Sequence, residues 1–430
     1  MAENQLKLLG TRRFLPLFIV QFFGSFNNNV FKNSLVILIT FKVSDLIGMN
    51  SQLLVAIAAG IFIAPFFLFS ATAGQLADKY KKSGMIKVIK IIEIILMILA
   101  VLGFVYKSIF FLMIVLFGLG THSAFFGPLK YSILPEHLYE NELIAGNGLI
   151  EAGTFIAILL GTILGGALIL LKYGEYIISF ILLLFAVAGW YSSLYIPKTK
   201  AFLKDLKVNY NFVSETKKLL LYSKGNRDVF LCILGISWFW LYGATFLNEI
   251  PVFAKDILHT NQSVVSLFIS MFSVGMAIGS MTCNKLLNGK INILYVPLGI
   301  LGLSIFTIDL YFASNQFMAS TYIEMSQFLQ SIHSWRIIAD LLFIAISGGF
   351  YTVPLYALMQ KRSEPSHRAR IIASNNVMNA LFMVVASIAT ALMVEIGFSV
   401  ADIFLALSIC NGFVALYIWR IIRNARKINN

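Results

Sequence analysis

Charged residues are scarce in this sequence. Only 12% of the 430 residues are Asp, Glu, Lys or Arg, whereas 59% are hydrophobic. Soluble domains have about 25% charged and about 45–50% apolar residues, so a water-soluble globular protein is excluded. The apolar runs have the length that crosses a bilayer, about 20 residues each. No run alternates as the strands of an outer-membrane barrel do, so the composition predicts an all-α membrane protein.

Residues that carry covalent chemistry are also few. The three cysteines, Cys232, Cys283 and Cys410, stand singly in apolar runs, which argues against a disulfide framework or a metal site. We find neither a phosphate-binding Gly-x-x-x-x-Gly-Lys-Ser/Thr motif nor a nucleophile and base in a credible context. We therefore expect a protein that is not an enzyme, needs no cofactor or metal ion, and moves a solute without nucleotide hydrolysis.

Polar or charged clusters divide the chain into twelve apolar runs. These runs lie near residues 14–41, 51–76, 84–106, 108–133, 142–171, 175–197, 228–254, 262–287, 291–313, 336–360, 371–396 and 400–422. Lys and Arg are concentrated in every second connection, and this bias places those connections in the cytoplasm. We expect a multi-pass membrane protein with both termini cytoplasmic. Because the loops account for the net charge of +13, no nucleic-acid partner is expected.

The longest connection predicts the domain organisation. It is a basic cytoplasmic linker, 198–227, between two six-helix halves, 1–197 and 228–430. Its lysines interleave with Phe202 and Leu206, as in a helix that lies on an anionic leaflet. The alternative is a solvated linker whose charge only fixes the topology.

One loop motif resembles that of a known superfamily. The stretch Gly74–Lys82 (GQLADKYKK) follows the second run, and a weaker echo, Gly279–Lys290, follows the eighth. It resembles the loop motif of the major facilitator superfamily, whose fold repeats a six-helix unit. The resemblance implies that fold, with Gly74 permitting close helix approach, Asp78 capping a neighbouring helix end and Lys79 facing the cytoplasm.

Longer stretches are similar to bacterial lysophospholipid transporters. They include QFFGSFNNNVFKN at 21–33, FGPLKYSILPE at 126–136, VPLYALMQ at 353–360 and ASNNVMNA at 373–380. The resemblance implies flipping of lysophospholipids, such as lysophosphatidylethanolamine, across the inner membrane by alternating access, with a separate acyltransferase acting on the transported lipid. Asn28 stands where that family usually has Asp, so headgroup preference and coupling are not implied. The alternative is a transporter of the same fold for a small amphipathic solute, such as a drug or siderophore.

Polar side chains in the first run predict part of a substrate site, because amides and charges at bilayer depth tend to mark a transport path. Asn27, Asn28 and Asn29 fall near the middle of the helix, and Lys32 follows one turn later. Consecutive positions cover all sides of a helix, so the three asparagines cannot share one face. Lys32 either holds a phosphate or extends toward the periplasmic surface.

Three further residues complete the predicted substrate site. His122 and Lys130 lie on the fourth run, and Glu151 lies in the glycine-rich fifth. His122 either contacts an anionic headgroup or is a hydrogen-bonded structural residue, and Lys130 is either a headgroup ligand or an interfacial lysine. Glu151 either meets an ammonium group or a proton, or forms an ion pair with Lys32 or Lys130.

The second half has fewer such residues. Glu249 precedes Pro251 near the outer end of the seventh run and predicts either a gate or an interfacial helix end. Arg336 and Asp340 are four residues apart at the start of the tenth run and are predicted to pair with each other. Asp309 is predicted to be interfacial. The polar residues are thus weighted toward the first half, which we expect to hold the headgroup.

Overall fold

The computed structural model of the chain describes residues 5–40, 51–317 and 322–428. Twelve long helices dominate this part of the chain. In chain order they are α1 (Leu15–Leu38), α2 (Ser51–Lys79), α3 (Lys82–Val105), α4 (Ile109–Ser132), α5 (Leu143–Ile169), α6 (Gly174–Ser193), α7 (Arg227–Val252), α8 (Gln262–Leu287), α9 (Val296–Gln316), α10 (Ile332–Arg362), α11 (Arg368–Glu395) and α12 (Val400–Ile428). We call α1–α6 the first half and α7–α12 the second half.

The predicted membrane bundle is confirmed. Within the described residues, ten helices are long and apolar enough by themselves to cross a bilayer. The two others are α1 and α12. The three asparagines and Lys32 lower the hydropathy of α1, and the described apolar part of α12 is Val400–Leu416. Each long helix corresponds to one predicted run. Residue 41, at the end of the first run, lies outside the described residues.

Polar caps fix the starts of several helices. Asn226 accepts a hydrogen bond from the backbone N–H of Val229 at the start of α7, at 3.3 Å. Ser331 does the same for His333 at the start of α10, also at 3.3 Å. Such side chains bond N–H groups that have no partner inside the helix. The loops therefore set where these spans begin.

Each half is a packed group of helices. In the first half α1 packs along α5 and α6, and α4 lies between α2 and α3. In the second half α10 packs against α8 and α9. The connection between the halves contains a helix, Phe212–Gly225, which we call the linker helix. It packs against α2, α7 and α11 through Leu219 and exposes Val213 and Leu221.

The halves meet at one end of the bundle and stand apart at the other. We call the end beside the linker helix the linker end, and the opposite one the far end. At the linker end, residues 71–75 of α2 and 371–375 of α11 are all buried. Because consecutive residues cover every side of a helix, both helices are enclosed there. At the far end, neither 59–64 nor 387–392 has a buried residue. The bundle thus contains an inter-half space that widens toward the far end.

Candidate functional site

Asp78 joins the two halves at the linker end. Its carboxylate accepts hydrogen bonds from the backbone N–H groups of Ala369 at 3.1 Å and Arg370 at 3.3 Å, and from Nε of Arg370 at 3.0 Å. These N–H groups belong to the first turn of α11, which attracts negative charge. A Cβ atom on Gly74 would lie 2.8 Å from Cα of Arg370, so the close approach of α2 and α11 requires glycine.

Lys79, the third residue predicted with this motif, lies outside the contact. Its Nζ atom is 5.7 Å from the centre of the Tyr80 ring, beside the last turn of α2. Its side chain is part of the surface rather than of the junction between the halves. The motif therefore combines two residues that join helices with one that does not.

Further into the bundle, aromatic side chains close the bottom of the inter-half space. The rings of Tyr131 on α4 and Tyr356 on α10 stack with centroids 4.4 Å apart and an interplanar angle of 8°. Nε1 of Trp240 donates to the Tyr356 hydroxyl at 3.2 Å, and the Tyr131 hydroxyl donates to Glu151. We call Lys130, Tyr131, Glu151, Trp240 and Tyr356 the floor. It contains residues from both halves.

The floor contains two of the predicted site residues. Nζ of Lys130 lies 4.6 Å from the centre of the Tyr131 ring, and its charge interacts with that of Glu151. The hydrogen-bond partner of the Glu151 carboxylate is Tyr131, while Lys32 lies over the Phe62 ring at 4.6 Å. The structure thus gives Glu151 a tyrosine donor and a nearby lysine charge. A cation and a carboxylate that both contact Tyr131 suit a zwitterionic ligand.

Asn28 and Lys32 form one wall of the inter-half space. Nδ2 of Asn28 donates to Oγ of Ser123 on α4 at 3.0 Å, and Lys32 contacts α2 through Phe62. Both side chains are partly exposed. Since α2 and α4 also meet α11 at the linker end, this face of α1 borders the space between the halves. We call Asn28 and Lys32 the wall.

The other two asparagines face different directions, as expected for consecutive positions. Asn29 donates to the backbone carbonyl of Ser25 at 2.8 Å and packs against α5 at Gly161. Asn27 is fully buried and donates to the carbonyl of Leu182 on α6 at 3.1 Å. Neither side chain reaches the wall. Asn28 is therefore the member of the triplet that is placed to contact a ligand.

Asn27 instead touches a group of buried charges inside the first half. Its Nδ2 atom lies 3.3 Å from Oε1 of Glu93 on α3. Oε2 of the same carboxylate lies 2.5 Å from Nζ of Lys90 and 3.1 Å from Nε2 of His122 on α4. We call Lys90, Glu93 and His122 the buried ion cluster. His122 thus points into the half rather than into the inter-half space.

Lys90 and Glu93 were not among the predicted site residues. They stand three residues apart in the apolar stretch KIIEIILMI, so they share one face of α3. Two opposite charges one turn apart inside an otherwise apolar span are a detectable signal, because single buried charges are costly in a membrane. The spacing along α3 does not reveal that His122 is their third partner, since His122 comes from another helix.

The predicted pair of Arg336 and Asp340 is wrong. Arg336 binds Asp309 on α9 with two hydrogen bonds, from Nη2 to Oδ1 at 2.5 Å and from Nε to Oδ2 at 2.9 Å. The long Arg336 side chain reaches α9, where its guanidinium group forms both of these hydrogen bonds. Asp340 instead points inward and is 3% exposed. Asp309 is therefore an ion-pair residue. Glu249 lies half-buried near the far end of α7.

The structure thus divides the predicted residues into separate places. Lys130 and Glu151 belong to the floor, Asn28 and Lys32 to the wall, and His122 and Asn27 to the buried ion cluster and its contact. Glu249, Arg336 and Asp340 lie in the second half, toward the far end. The wall and floor together provide two lysines, one amide and one carboxylate around one open space.

The sequence also matches a known family. The family model of the Major Facilitator Superfamily matches residues 17–387, which is most of the chain. The chain belongs to the major facilitator superfamily. Among solved structures of similar fold is the human organic anion transporter MFSD10 (TETRAN), with a TM-score of 0.75, 12% identity, and coverage of 94% of this chain and 99% of that one. A bacterial homologue of the iron transporter ferroportin in an outward-facing state has a TM-score of 0.69, 14% identity, and coverage of 93% and 98%.

Sequence relatives within the superfamily are more similar. The lysophospholipid transporter LplT of Escherichia coli O1:K1 is 26% identical over 374 residues, which cover 84% of this chain and 85% of the relative. LplT of Escherichia fergusonii is 26% identical over 370 residues with the same coverage. The major facilitator fold of this chain, with two six-helix groups around an inter-half space, agrees with these likenesses.

Proposed function

We propose that this chain is a secondary transporter that flips lysophospholipids, such as lysophosphatidylethanolamine, across the bacterial inner membrane. The observation that carries the proposal is the exposure of α2 and α11 at the far end, where neither 59–64 nor 387–392 has a buried residue. We infer that a gap separates the two helices there. Such a gap would open sideways toward lipid, which lets the acyl chain of a lipid remain in the bilayer. A small water-soluble substrate would instead favour a space that is closed on its sides. The relatives named as lysophospholipid transporters support the same substrate class.

A single-chain lipid fits this gap by its chemistry. The phosphate would bind Lys32 on the wall or Lys130 on the floor, and an ammonium group would bind Glu151. The acyl chain would lie on exposed apolar side chains of the separated helices, such as Ile57 on α2 and Ile388 on α11, which are 41% and 56% exposed. The headgroup is thereby kept among polar residues while the tail stays in lipid.

Transport would proceed by rocking of the two halves, 1–197 and 228–430, around the substrate. The linker end would face the cytoplasm together with both termini, because the basic connections lie on that side. Its opening requires that Asp78 leave the first turn of α11 and that the stack of Tyr131 on Tyr356 separate. A lipid released there enters the inner leaflet, where a separate acyltransferase would act on it.

The proposal is tested by reconstitution in liposomes with fluorescent lysophosphatidylethanolamine. We expect leaflet transfer by the wild type, and a roughly tenfold slower rate for Lys130→Ala and for Glu151→Gln, which is what losing one charge-assisted hydrogen bond would cause. Lys79→Gln, which changes a lysine outside the site, serves as the control and should keep the wild-type rate. Transfer no faster than in empty liposomes would refute the proposal, and transfer of an amphipathic drug instead would favour the alternative substrate class.

A further inference from the structure

One face of α4 connects the wall to the floor. Ser123, Gly127 and Lys130 lie on it, with spacings of four and three residues. Residues at these spacings share one face of a helix, and each residue advances the helix by about 1.5 Å. Oγ of Ser123 accepts the hydrogen bond from Asn28 at 3.0 Å, and Lys130 belongs to the floor. Gly127 therefore lies about one turn from the wall contact and about one turn from the floor.

Asn376 of the second half lies against Gly127. Helix α11 packs against α4, and a Cβ atom on Gly127 would lie 2.4 Å from Nδ2 of Asn376. Glycine is thus the residue that lets this amide approach α4 so closely. Asn376 is half-buried, as Asn28 is, so both side chains border the inter-half space. The second half thereby contributes an amide between the wall and the floor.

Each of these two amides has a hydrogen-bonding atom that the protein does not use. Within the part of the chain that the structure describes, neither Nδ2 of Asn376 nor Oδ1 of Asn28 has a hydrogen-bond partner, and both atoms are covered by neighbouring groups. Most covered polar atoms in proteins are bonded, so two that are not point to a ligand. The first atom is a donor and the second is an acceptor. Because both residues are half-buried, rotation of the side chains presents these atoms to the inter-half space.

A hydroxyl group is the ligand that fits this pair. Its oxygen accepts one hydrogen bond while its proton is donated in another. Two hydrogen bonds of about 3 Å each span about 6 Å, which is also the rise of α4 from Ser123 to Gly127. One hydroxyl can therefore bridge Asn28 and Asn376. An ester or ether oxygen in the same place accepts but does not donate, so it leaves Oδ1 of Asn28 unpaired.

The place of this pair along α4 indicates which hydroxyl it would bind. With the phosphate at Lys130 and the acyl chain directed toward the far end, the glycerol of a lysophospholipid lies between them, beside Gly127. Its free hydroxyl is on the glycerol carbon next to the one that holds the phosphate. A diacyl phospholipid has an ester at that carbon. The pair thus faces the group that distinguishes a single-chain lipid from a diacyl one.

We propose that Asn376, together with Asn28, binds the free glycerol hydroxyl of the substrate and so selects single-chain lipids over diacyl phospholipids. The inference rests on the proposed function, because it takes a lysophospholipid as the substrate. A site that hydrogen-bonds a substrate hydroxyl rejects analogues that lack it, since its own polar groups are then left unpaired. Asn376 also makes recognition depend on both halves, because Asn28 and Lys130 belong to the first.

Leaflet transfer of three matched lipids is the direct test. Wild-type protein in liposomes is given fluorescent lysophosphatidylethanolamine, its deoxy analogue, in which hydrogen replaces the free hydroxyl, and its methyl ether, whose oxygen cannot donate. We expect lysophosphatidylethanolamine to be transferred roughly fivefold faster than either analogue, as one neutral hydrogen bond would cause. Asn376→Leu should slow its transfer about fivefold, to the rate of the deoxy analogue, so that the preference is lost. Asn315→Leu, which changes an exposed asparagine on α9, should keep the preference.

A second variant guards against a folding defect in Asn376→Leu. The Cβ atom added by Gly127→Ala displaces only the end of the Asn376 side chain, so the preference should be lost although both amides are present. The ratio of the transfer rates is the informative quantity, because a purely structural defect slows all three lipids alike. Equal transfer of the three lipids by the wild type, or an unchanged ratio in either active variant, overturns the inference and leaves the proposed function intact. Transfer of none of them above empty liposomes overturns both.

Discussion

Asn147 and Gln360 exchange two hydrogen bonds across the two halves, although 213 residues separate them in the sequence. Nδ2 of Asn147 donates to Oε1 of Gln360 at 2.7 Å, and Nε2 of Gln360 donates to Oδ1 of Asn147 at 2.9 Å. Both side chains are fully buried at the linker end. The contact can exist only while that end is closed, so it stabilises one of the two states that alternating access requires.

Removing one amide of this pair should destabilise the closed linker end. Asn147→Leu leaves the buried amide of Gln360 without its partner, which costs about 1–3 kcal/mol. Gln360→Leu should do the same. The double variant should be less destabilised than the two single variants predict together, because no unpaired amide remains. Thermal unfolding of the wild type, the two single variants and the double variant completes a double-mutant cycle. Strictly additive effects would show that the two amides do not interact.

Asp78 should control access to the linker end. Asp78→Asn keeps the volume but removes the charge that the first turn of α11 attracts, and charge-assisted hydrogen bonds contribute about 1.5–3 kcal/mol. We expect faster labelling of a cysteine placed at the buried Ser374 (Ser374→Cys), in a Cys410→Ser background. The control, Lys79→Gln, removes a charge one residue away that does not join the halves. Equal labelling in both variants would contradict a specific role for Asp78.

Part of this site was predictable because it depends on local spacing. The three asparagines had to diverge around α1, and Gly74 with Asp78 had to lie where α2 ends. Residue spacing also gave the depth of Lys130 and Glu151, since each residue advances a helix by about 1.5 Å. These features follow from one helix at a time.

The rest depends on which helix lies next to which. Arg336 has Asp340 one turn away, yet it binds Asp309, because α9 brings a carboxylate to the edge of the guanidinium. In the same way, His122 turned inward because α3 places Glu93 beside it. The spacing of residues along one helix does not determine how that helix is rotated or which helices lie beside it. The partners of buried charges were therefore the least predictable part.

The corrected pairing of Arg336 predicts an order of stability. Asp309→Asn breaks the bidentate ion pair, whereas Asp340→Asn leaves it intact. Because both partners of the pair are 39% exposed, solvent screens the interaction and the loss should be about 1 kcal/mol or less. Thermal unfolding should give a lower Tm for Asp309→Asn than for Asp340→Asn. The reverse order would mean that Asp340 is the more important partner.

The linker helix should detach from the second half in acid. Tyr222 stacks on the His367 ring, with centroids 4.7 Å apart, and its hydroxyl donates to Glu364 at 3.3 Å. Burial, and then the nearby charge of Arg370, lower the pKa of His367 from its ordinary value of 6.5. A docked helix then binds the proton more weakly than a detached one, so docking is favoured at high pH and lost as the pH falls. A spin label on Lys224→Cys should become more mobile in acid. The additional change His367→Gln should remove this pH dependence of the mobility. An unchanged pH dependence in His367→Gln would mean that another group titrates.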